Sequence, residues 1–347
     1  MWTIIGQSRA LSLLKRSLEK GSLAHAYLFV GPAHVGKMTL ALNLAQALNC
    51  KAAEPPCGQC LSCQKIASNK HADVQIIGLN HNDSSEASSR VEIGIDQIRQ
   101  LQHSAHLPPF EGSCKVFIID RAELLSTEAA NCFLKTLEEP ADKVVFILLT
   151  SNERLLPVTV VSRCQRVGLL PIAISEIEAA LEKKGVTSEK AKLVARLSHG
   201  CPGWALDAHW FQQRTEHLEE LLSLINADGE ERFAYAARLA AQFSRDRELV
   251  HNKLDLWLDC WRDLMLVKAG SSGSVTNIDQ LAALIDLARG YRLAQITAFL
   301  NCIRVADDQL RQNANPQLVL EVLMLNIPEL EKRSKENSAI QFEVNYG

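Results

Sequence analysis

A glycine-rich stretch, Gly31-Pro32-Ala33-His34-Val35-Gly36-Lys37-Met38-Thr39, separates an apolar run from a helix-like run. It fits the pattern G-x-x-x-x-G-K-[ST], except that Met38 replaces the hydroxyl residue and Thr39 comes one position late. Such loops direct backbone N–H groups and a helix N-terminus at phosphates, and the lysine amine reaches the outer phosphates. We expect nucleotide binding rather than a purely structural glycine turn, with magnesium binding weakened by Met38. The candidate nucleotide-binding residues are Gly31, Pro32, His34, Val35, Gly36, Lys37, Met38 and Thr39.

Asp120 follows the apolar run 116–119 and is the candidate magnesium ligand. A carboxylate at the end of a parallel strand lies at the edge where open α/β sheets bind ligands. Many P-loop ATPases place a glutamate after this aspartate, but here the position is Arg121 and the next acid is Glu123. The group that polarises the attacking water is therefore not evident, which predicts little or no hydrolysis by this chain.

Thr150 and Ser151 end a second apolar run, 144–150. Their hydroxyl groups suit either a contact with a γ-phosphate or the capping of the following turn. Further along, Arg163 lies in Ser162-Arg163-Cys164. Spacing alone leaves two interpretations open for it, a surface ion pair or an arginine presented to a neighbour's phosphates.

Cys50, Cys57, Cys60 and Cys63 form a cluster with two C-x2-C spacings in a proline- and glycine-rich segment. This spacing allows four thiolates to bind one zinc ion tetrahedrally. Buried free thiols and an iron–sulfur cluster are the alternatives, although common cluster-binding runs are spaced differently. No histidine or acid is suitably placed to activate a zinc-bound water, so we expect a structural site.

Composition places the chain among soluble globular proteins, and the lack of membrane and targeting signals leads us to expect it in the cytoplasm. Its 347 residues carry a formal net charge of -3, which gives no overall sign of nucleic-acid affinity. No apolar run reaches the ~18–20 residues that span a bilayer, and the N-terminus lacks a basic region followed by an apolar one. Ten cysteines in such a chain indicate metal ligands and buried thiols rather than disulfides.

Strand and helix patterns alternate as far as Pro171, which predicts a parallel sheet. The predicted strands are 27–30, 74–77, 114–120 and 144–150; the predicted helices lie within 1–25, 37–49, 93–103 and 129–138, with a short helix or turn over 155–166. The polar segment 81–90 is expected to be a mobile surface loop. After Pro171 only helical patterns occur, such as 174–184, 188–197 and 214–225, interrupted at 200–203 and 270–274. The tail after Pro328 is expected to be frayed.

Several motifs together resemble one family. They are Ile5-Gly6-Gln7, His25-Ala26-Tyr27-Leu28-Phe29, the glycine-rich loop, the four cysteines, Ile95-Asp96-Gln97-Ile98-Arg99, Leu134-Lys135-Thr136-Leu137-Glu138-Glu139-Pro140, Ser162-Arg163-Cys164 and Gln312-Asn313-Ala314-Asn315-Pro316-Gln317-Leu318. In this combination the chain resembles the AAA+ clamp-loader subunits of bacterial DNA polymerase III, in particular the delta-prime type.

The resemblance implies an α/β RecA-like AAA+ P-loop domain, a small helical lid and an all-α C-terminal collar that assembles subunits. We expect residues 1–168 to form the first domain with the zinc module 50–63, 169–210 the lid, 211–335 the collar and 336–347 a tail. The implied partners are gamma/tau-type and delta-type subunits in a five-subunit complex, with the sliding clamp and primed DNA reached through it.

The resemblance also assigns roles to residues. Arg163 corresponds to an arginine finger acting in trans, Thr150 or Ser151 to the γ-phosphate sensor, and the four cysteines to the family's zinc module. The lid stretch 200–206 lacks the sensor arginine of hydrolysing relatives. Together with Met38 and Arg121, the missing arginine predicts a stator, that is, a subunit that binds ATP or ADP with magnesium but hydrolyses it poorly. An autonomous AAA+ DNA-remodelling ATPase and a zinc-stabilised adaptor without nucleotide affinity are the alternatives.

Overall fold

The computed structural model describes residues 2–79 and 92–330, apart from the side chains of residues 208–210. The chain divides into two compact units, residues 1–208 and 209–347. The predicted loop 81–90 and most of the predicted tail lie outside the described residues. No helix in the described ranges combines the length and hydropathy needed to cross a bilayer.

A five-stranded parallel sheet forms the centre of the first unit, in the order β2-β3-β4-β1-β5. Its strands are β1 (Ala26–Val30), β2 (Val74–Ile77), β3 (Lys115–Ile119), β4 (Val144–Thr150) and β5 (Gln165–Gly168). The first four agree with the predicted runs. The fifth was missed, because in this edge strand only Val167 is buried and no apolar run marks it. The expected short helix is confined to residues 158–161.

Within residues 2–79 and 92–164, the helices that precede β5 are α1 (Ser8–Glu19), α2 (Lys37–Asn49), α3 (Leu61–Ala67), α4 (Ile95–His106), α5 (Thr127–Glu138) and α6 (Val158–Val161). Because side chains alternate along a strand, the sheet has an apolar core on each side. Tyr27 and Phe29 belong to one core with residues of α1 and α2, whereas Leu28 belongs to the other with residues of α4 and α5. The sheet is thus covered on both sides, as a parallel sheet requires.

Three further helices complete the first unit after the sheet: α7 (Ile174–Lys183), α8 (Ser188–Leu197) and α9 (Pro202–Leu206). The predicted interruption of the helical pattern is present at Gly200, whose φ is 78°. It is shorter than expected, since a new helix begins at Pro202, a residue well suited to a first helical position.

The second unit is helical throughout its described part. It contains α10 (Ala208–Asn226), α11 (Gly229–Arg245), α12 (Arg247–Lys268), α13 (Leu281–Arg289), α14 (Leu293–Arg311) and α15 (Pro316–Leu325), with α10 beginning at the boundary between the units. Trp257 and Trp261 are fully buried in its core, and the ring centroid of Trp261 lies 4.6 Å from that of Phe299. The α/β class with a helical C-terminal region is therefore confirmed.

Candidate functional site

The glycine-rich loop joins the end of β1 to the start of α2, which is the predicted strand–loop–helix arrangement. Glycine is required at its first position, because a β-carbon on Gly31 would lie 2.4 Å from the carbonyl oxygen of Leu169. Gly36 precedes α2 with a φ of 106°, a conformation that side-chain-bearing residues rarely adopt. The loop glycines thus have a steric basis in this fold.

The Lys37 amine lies over its own loop. Its Nζ donates hydrogen bonds of 2.7 Å to the carbonyl oxygens of Gly31 and Pro32. Burial lowers the pKa of Lys37, and the nearby carboxylates of Glu123 and Asp120 oppose that change. The fold therefore brings the predicted phosphate ligand and the predicted magnesium ligand into one electrostatic environment.

Asp120 directly follows β3 at the carboxyl edge of the sheet, as predicted. Burial raises the pKa of its carboxyl group, whereas Arg121 and Lys37 lower it. The backbone N–H of Arg121 donates to its Oδ1 at 3.1 Å, and Arg121 itself has a φ of 52°. The residue after the aspartate is thus an exposed arginine with left-handed backbone, where a water-polarising acid would be needed.

Glu123 is the residue whose importance the sequence did not reveal. Its Oε1 accepts hydrogen bonds from the Ser151 hydroxyl at 2.8 Å and from the Ser151 amide at 3.3 Å. Its Oε2 is buried and has no hydrogen-bond partner among the described residues. A 3-10 turn, Ala122–Leu124, carries this acid, and the charge of Glu123 helps to raise the pKa of Asp120.

Thr150 and Ser151 are placed differently although they are adjacent. Thr150 is fully buried opposite Val30 of β1, and its hydroxyl accepts the amide of Asn152 at 3.1 Å. Ser151 is exposed and held by Glu123. In this structure the Thr150 hydroxyl supports the following turn, while the Ser151 hydroxyl lies at the carboxyl edge of the sheet.

The other loop residues divide between core and surface. Val35 is fully buried and Met38 is partly buried against the same apolar core, whereas Pro32 and Thr39 are exposed. Thr39 is therefore exposed to solvent, and the Met38 side chain packs against the apolar core.

His34 is only partly exposed. Its ring centroid lies 3.7 Å from that of Trp204, with the planes 33° apart. The Gly203 amide also donates to the His34 carbonyl at 2.8 Å. The start of α9 therefore covers the loop with an aromatic ring, at the lid stretch predicted to lack an arginine.

Arg163 lies between α6 and β5. Its Nη2 pairs with Glu138 Oε1 at 2.5 Å and its Nη1 donates to the Thr159 carbonyl at 2.9 Å. About a third of its side chain, 34%, is exposed. Because Gln165 is level with Tyr27 near the start of β1, Arg163 lies toward the amino edge of the sheet. The glycine-rich loop follows the opposite, carboxyl edge.

The sulfur atoms of Cys50, Cys57, Cys60 and Cys63 lie within 4.8 Å of one another, so the fold brings together all four predicted ligands. Backbone amides donate to three of them, at 3.3–3.5 Å. The amides of Cys60 and Gln59 lower the pKa of the Cys57 thiol to about 6, which favours a thiolate. Gln46 of α2 donates to the Cys63 carbonyl at 2.9 Å and ties the cluster to the core.

Comparison with known proteins agrees with this arrangement. The family profile described as DNA polymerase III, delta subunit, matches residues 6–173. Subunit delta' of DNA polymerase III from Bacillus subtilis is 27% identical over 93% of this chain and 96% of its own length. The chain is a homologue of DNA polymerase III subunits. The resemblance expected from its motifs is thereby confirmed.

The tau subunit of Escherichia coli DNA polymerase III is 36% identical over 52% of this chain, but only 27% of that subunit is covered. The chain therefore spans less than a third of the length of that longer relative. Among solved structures, a DNA polymerase III gamma subunit-related protein from Thermotoga maritima aligns over 93% of this chain and 100% of that chain, at 18% identity and a TM-score of 0.40.

Proposed function

We propose that this chain is a delta-prime-type subunit of a bacterial clamp loader, which helps place the sliding clamp on primed DNA in the cytoplasm. Its partners are gamma/tau-type and delta-type subunits, and it reaches clamp and DNA through the complex. In this proposal residues 169–210 act as the lid of the nucleotide domain 1–168, and residues 211–335 act as the collar. The homology to delta-prime and tau subunits supports the assignment.

The observation that carries the mechanism is the placement of Arg163 relative to the chain's own loop. Gln165 pairs with Tyr27, and Gly31 lies four residues beyond Tyr27, just after the end of β1, or about 13 Å away at the usual rise of a strand. Arg163 precedes Gln165 and is further still from that loop. An arginine in this position suits a phosphate held by another subunit, so we assign it as a finger acting in trans.

The chain's own nucleotide site has the features of a stator. Met38 supplies no hydroxyl for magnesium, Arg121 replaces the water-polarising acid, and Trp204 occupies the lid stretch where hydrolysing relatives have an arginine. Glu123, the nearest other acid, is engaged with Ser151. We therefore expect ATP or ADP to bind through Lys37 and the loop amides, with Asp120 as the magnesium ligand and hydrolysis slow or absent.

The four cysteines are proposed to hold a structural zinc ion. Four thiolates leave no open coordination position for a water, and such closed sites stabilise a fold rather than catalyse. The connection of Cys63 to α2 through Gln46 links this module to the helix that follows the phosphate loop.

A steady-state ATPase assay on the purified chain tests the stator assignment. We expect turnover far below that of the assembled complex, and turnover of about one per second without partners would support the autonomous-ATPase alternative instead. A fluorescent-ATP titration of the same sample separates the adaptor alternative, which predicts no binding.

Arg163→Ala in the reconstituted complex tests the finger. We expect ATP hydrolysis stimulated by clamp and DNA to fall by about 10³-fold or more while assembly persists. Arg166→Ala is the matched control, because Arg166 is a nearby arginine that also pairs with an acid, Glu153. Unchanged hydrolysis by Arg163→Ala would refute the assignment.

A further inference from the structure

Two acceptors fix the guanidinium group of Arg163. Glu138 Oε1 accepts from Nη2 at 2.5 Å, and the Thr159 carbonyl accepts from Nη1 at 2.9 Å. Each acceptor engages a different terminal nitrogen, so together they restrict both the position and the plane of the group. Arginine has five N–H donors, and these two bonds leave three of them for a phosphate.

Glu138 stands on a rigid support. It is the last residue of α5, a helix whose Phe133 and Leu137 are buried in the sheet core. Gln102 of α4 fastens the same helix by donating to the Cys132 carbonyl at 2.9 Å and to the Thr136 hydroxyl at 2.7 Å. A carboxylate carried on such a helix can locate a flexible arginine that lies on a short turn.

The ion pair with Glu138 leaves the Arg163 side chain partly accessible to solvent. Half of the Glu138 side chain, 50%, and 34% of the Arg163 side chain are exposed. Because both side chains are partly exposed and three N–H groups remain, a phosphate can engage those groups while the guanidinium keeps its two bonds.

We propose that Glu138 is a positioning residue for the trans-acting Arg163, orienting its guanidinium plane toward the phosphate of an adjacent subunit. This inference rests on the function proposed above. Because transition-state contacts depend on placement within about 1 Å, loss of the orienting carboxylate lowers the rate of hydrolysis rather than nucleotide affinity.

The test is Glu138→Gln in the reconstituted complex, assayed for ATPase stimulated by clamp and DNA. We expect kcat to fall by about 10-fold with KM unchanged and assembly intact. Glu138→Asp, which keeps the charge on a shorter side chain, should retain more activity than Glu138→Gln. Glu139→Gln is the matched control, since Glu139 is the adjacent exposed acid on the same helix end, and it should leave kcat at the wild-type value.

A double variant distinguishes positioning from a general structural effect. If Glu138 acts through Arg163, Glu138→Gln adds no further loss to Arg163→Ala, whereas independent effects would multiply. Wild-type or higher kcat in Glu138→Gln, while Arg163→Ala abolishes hydrolysis, overturns the positioning role alone. An unaffected Arg163→Ala complex overturns the underlying function instead.

Discussion

Gly203 donates its amide to the carbonyl of His34 at 2.8 Å, which ties the start of α9 to the glycine-rich loop. A β-carbon on Gly203 would lie 2.7 Å from that oxygen and 2.9 Å from the His34 β-carbon. The close approach also allows Trp204 to stack on the His34 ring. The conformation of the glycine-rich loop is therefore coupled to α9, the helix that covers it.

We predict that Gly203→Ala destabilises the first unit by about 1–3 kcal/mol, the usual cost of an overpacked contact, and weakens nucleotide binding. The clash outweighs the helix preference of alanine, which would otherwise favour the variant by about 1 kcal/mol. Thermal unfolding and fluorescent-ATP titration measure both effects. Gly229→Ala is the control, because that glycine also starts a helix but a β-carbon there would meet nothing within 4 Å. Equal behaviour of the two variants would contradict the coupling.

Met38→Thr should restore a hydroxyl at the magnesium position. We expect magnesium to raise the nucleotide affinity of Met38→Thr about 10-fold more than that of the wild type, which corresponds to roughly 1.4 kcal/mol. Hydrolysis should stay low, since Arg121 is unchanged. Met38→Leu keeps the packing without the hydroxyl and should show no new dependence. Titrations with magnesium and with EDTA measure the difference, and an equal response of both variants would exclude a missing hydroxyl as the defect.

Removal of zinc should lower the stability of the first unit. We expect one zinc ion per chain by elemental analysis, and its loss in Cys60→Ser together with a fall in Tm of about 5–10 °C. Cys302→Ser changes a cysteine of the second unit and should retain both the metal and the Tm. A metal-free wild-type chain with the same Tm after zinc addition would reject a structural zinc site.

Asp73→Asn should reveal a pH-dependent contribution to folding. The Asp73 carboxylate accepts the backbone amides of Phe110, Glu111 and Gly112 at 2.7–2.8 Å. Burial alone would raise the pKa of Asp73, but these amides outweigh it and lower the pKa. A lowered folded-state pKa stabilises the fold above the unfolded-state value of about 3.9, and this stabilisation is lost as the pH falls through the folded-state pKa.

We therefore expect Asp73→Asn to lower the free energy of unfolding by about 2 kcal/mol at pH 7 and by progressively less below about pH 4. Urea unfolding of both proteins across this range measures the difference. Asp142→Asn, at an exposed aspartate, should have little effect at any pH. If the free energies of unfolding of Asp73→Asn and wild type differed by the same amount down to pH 3, the charge of the Asp73 carboxylate would not be the source of the stabilisation.

Local signals account for what the sequence could predict. The strands β1 to β4 are apolar runs, the phosphate loop follows from its glycines and Lys37, and the cysteine cluster follows from spacing. The edge strand β5 was missed because exposure removes the apolar pattern on which such predictions depend.

Contacts between distant segments could not be predicted in this way. Glu123 and Ser151 are 28 residues apart, and Glu138 and Arg163 are 25 residues apart. Only the sheet order and the packing of α5 bring these side chains together. The stacking of Trp204 on His34 likewise depends on the path of the chain after β5, which no short motif specifies.

The location of Arg163 at one edge of the sheet and the phosphate loop at the other has a consequence for symmetry. A contact that joins the arginine of one subunit to the loop of the next uses two different surfaces, so it is heterologous and cannot be satisfied by a two-fold axis. Repetition of such a contact gives a directional arc with one unmatched arginine or loop at each end. A subunit whose own loop is a poor catalyst is suited to an end position, where its arginine is used and its loop need not turn over.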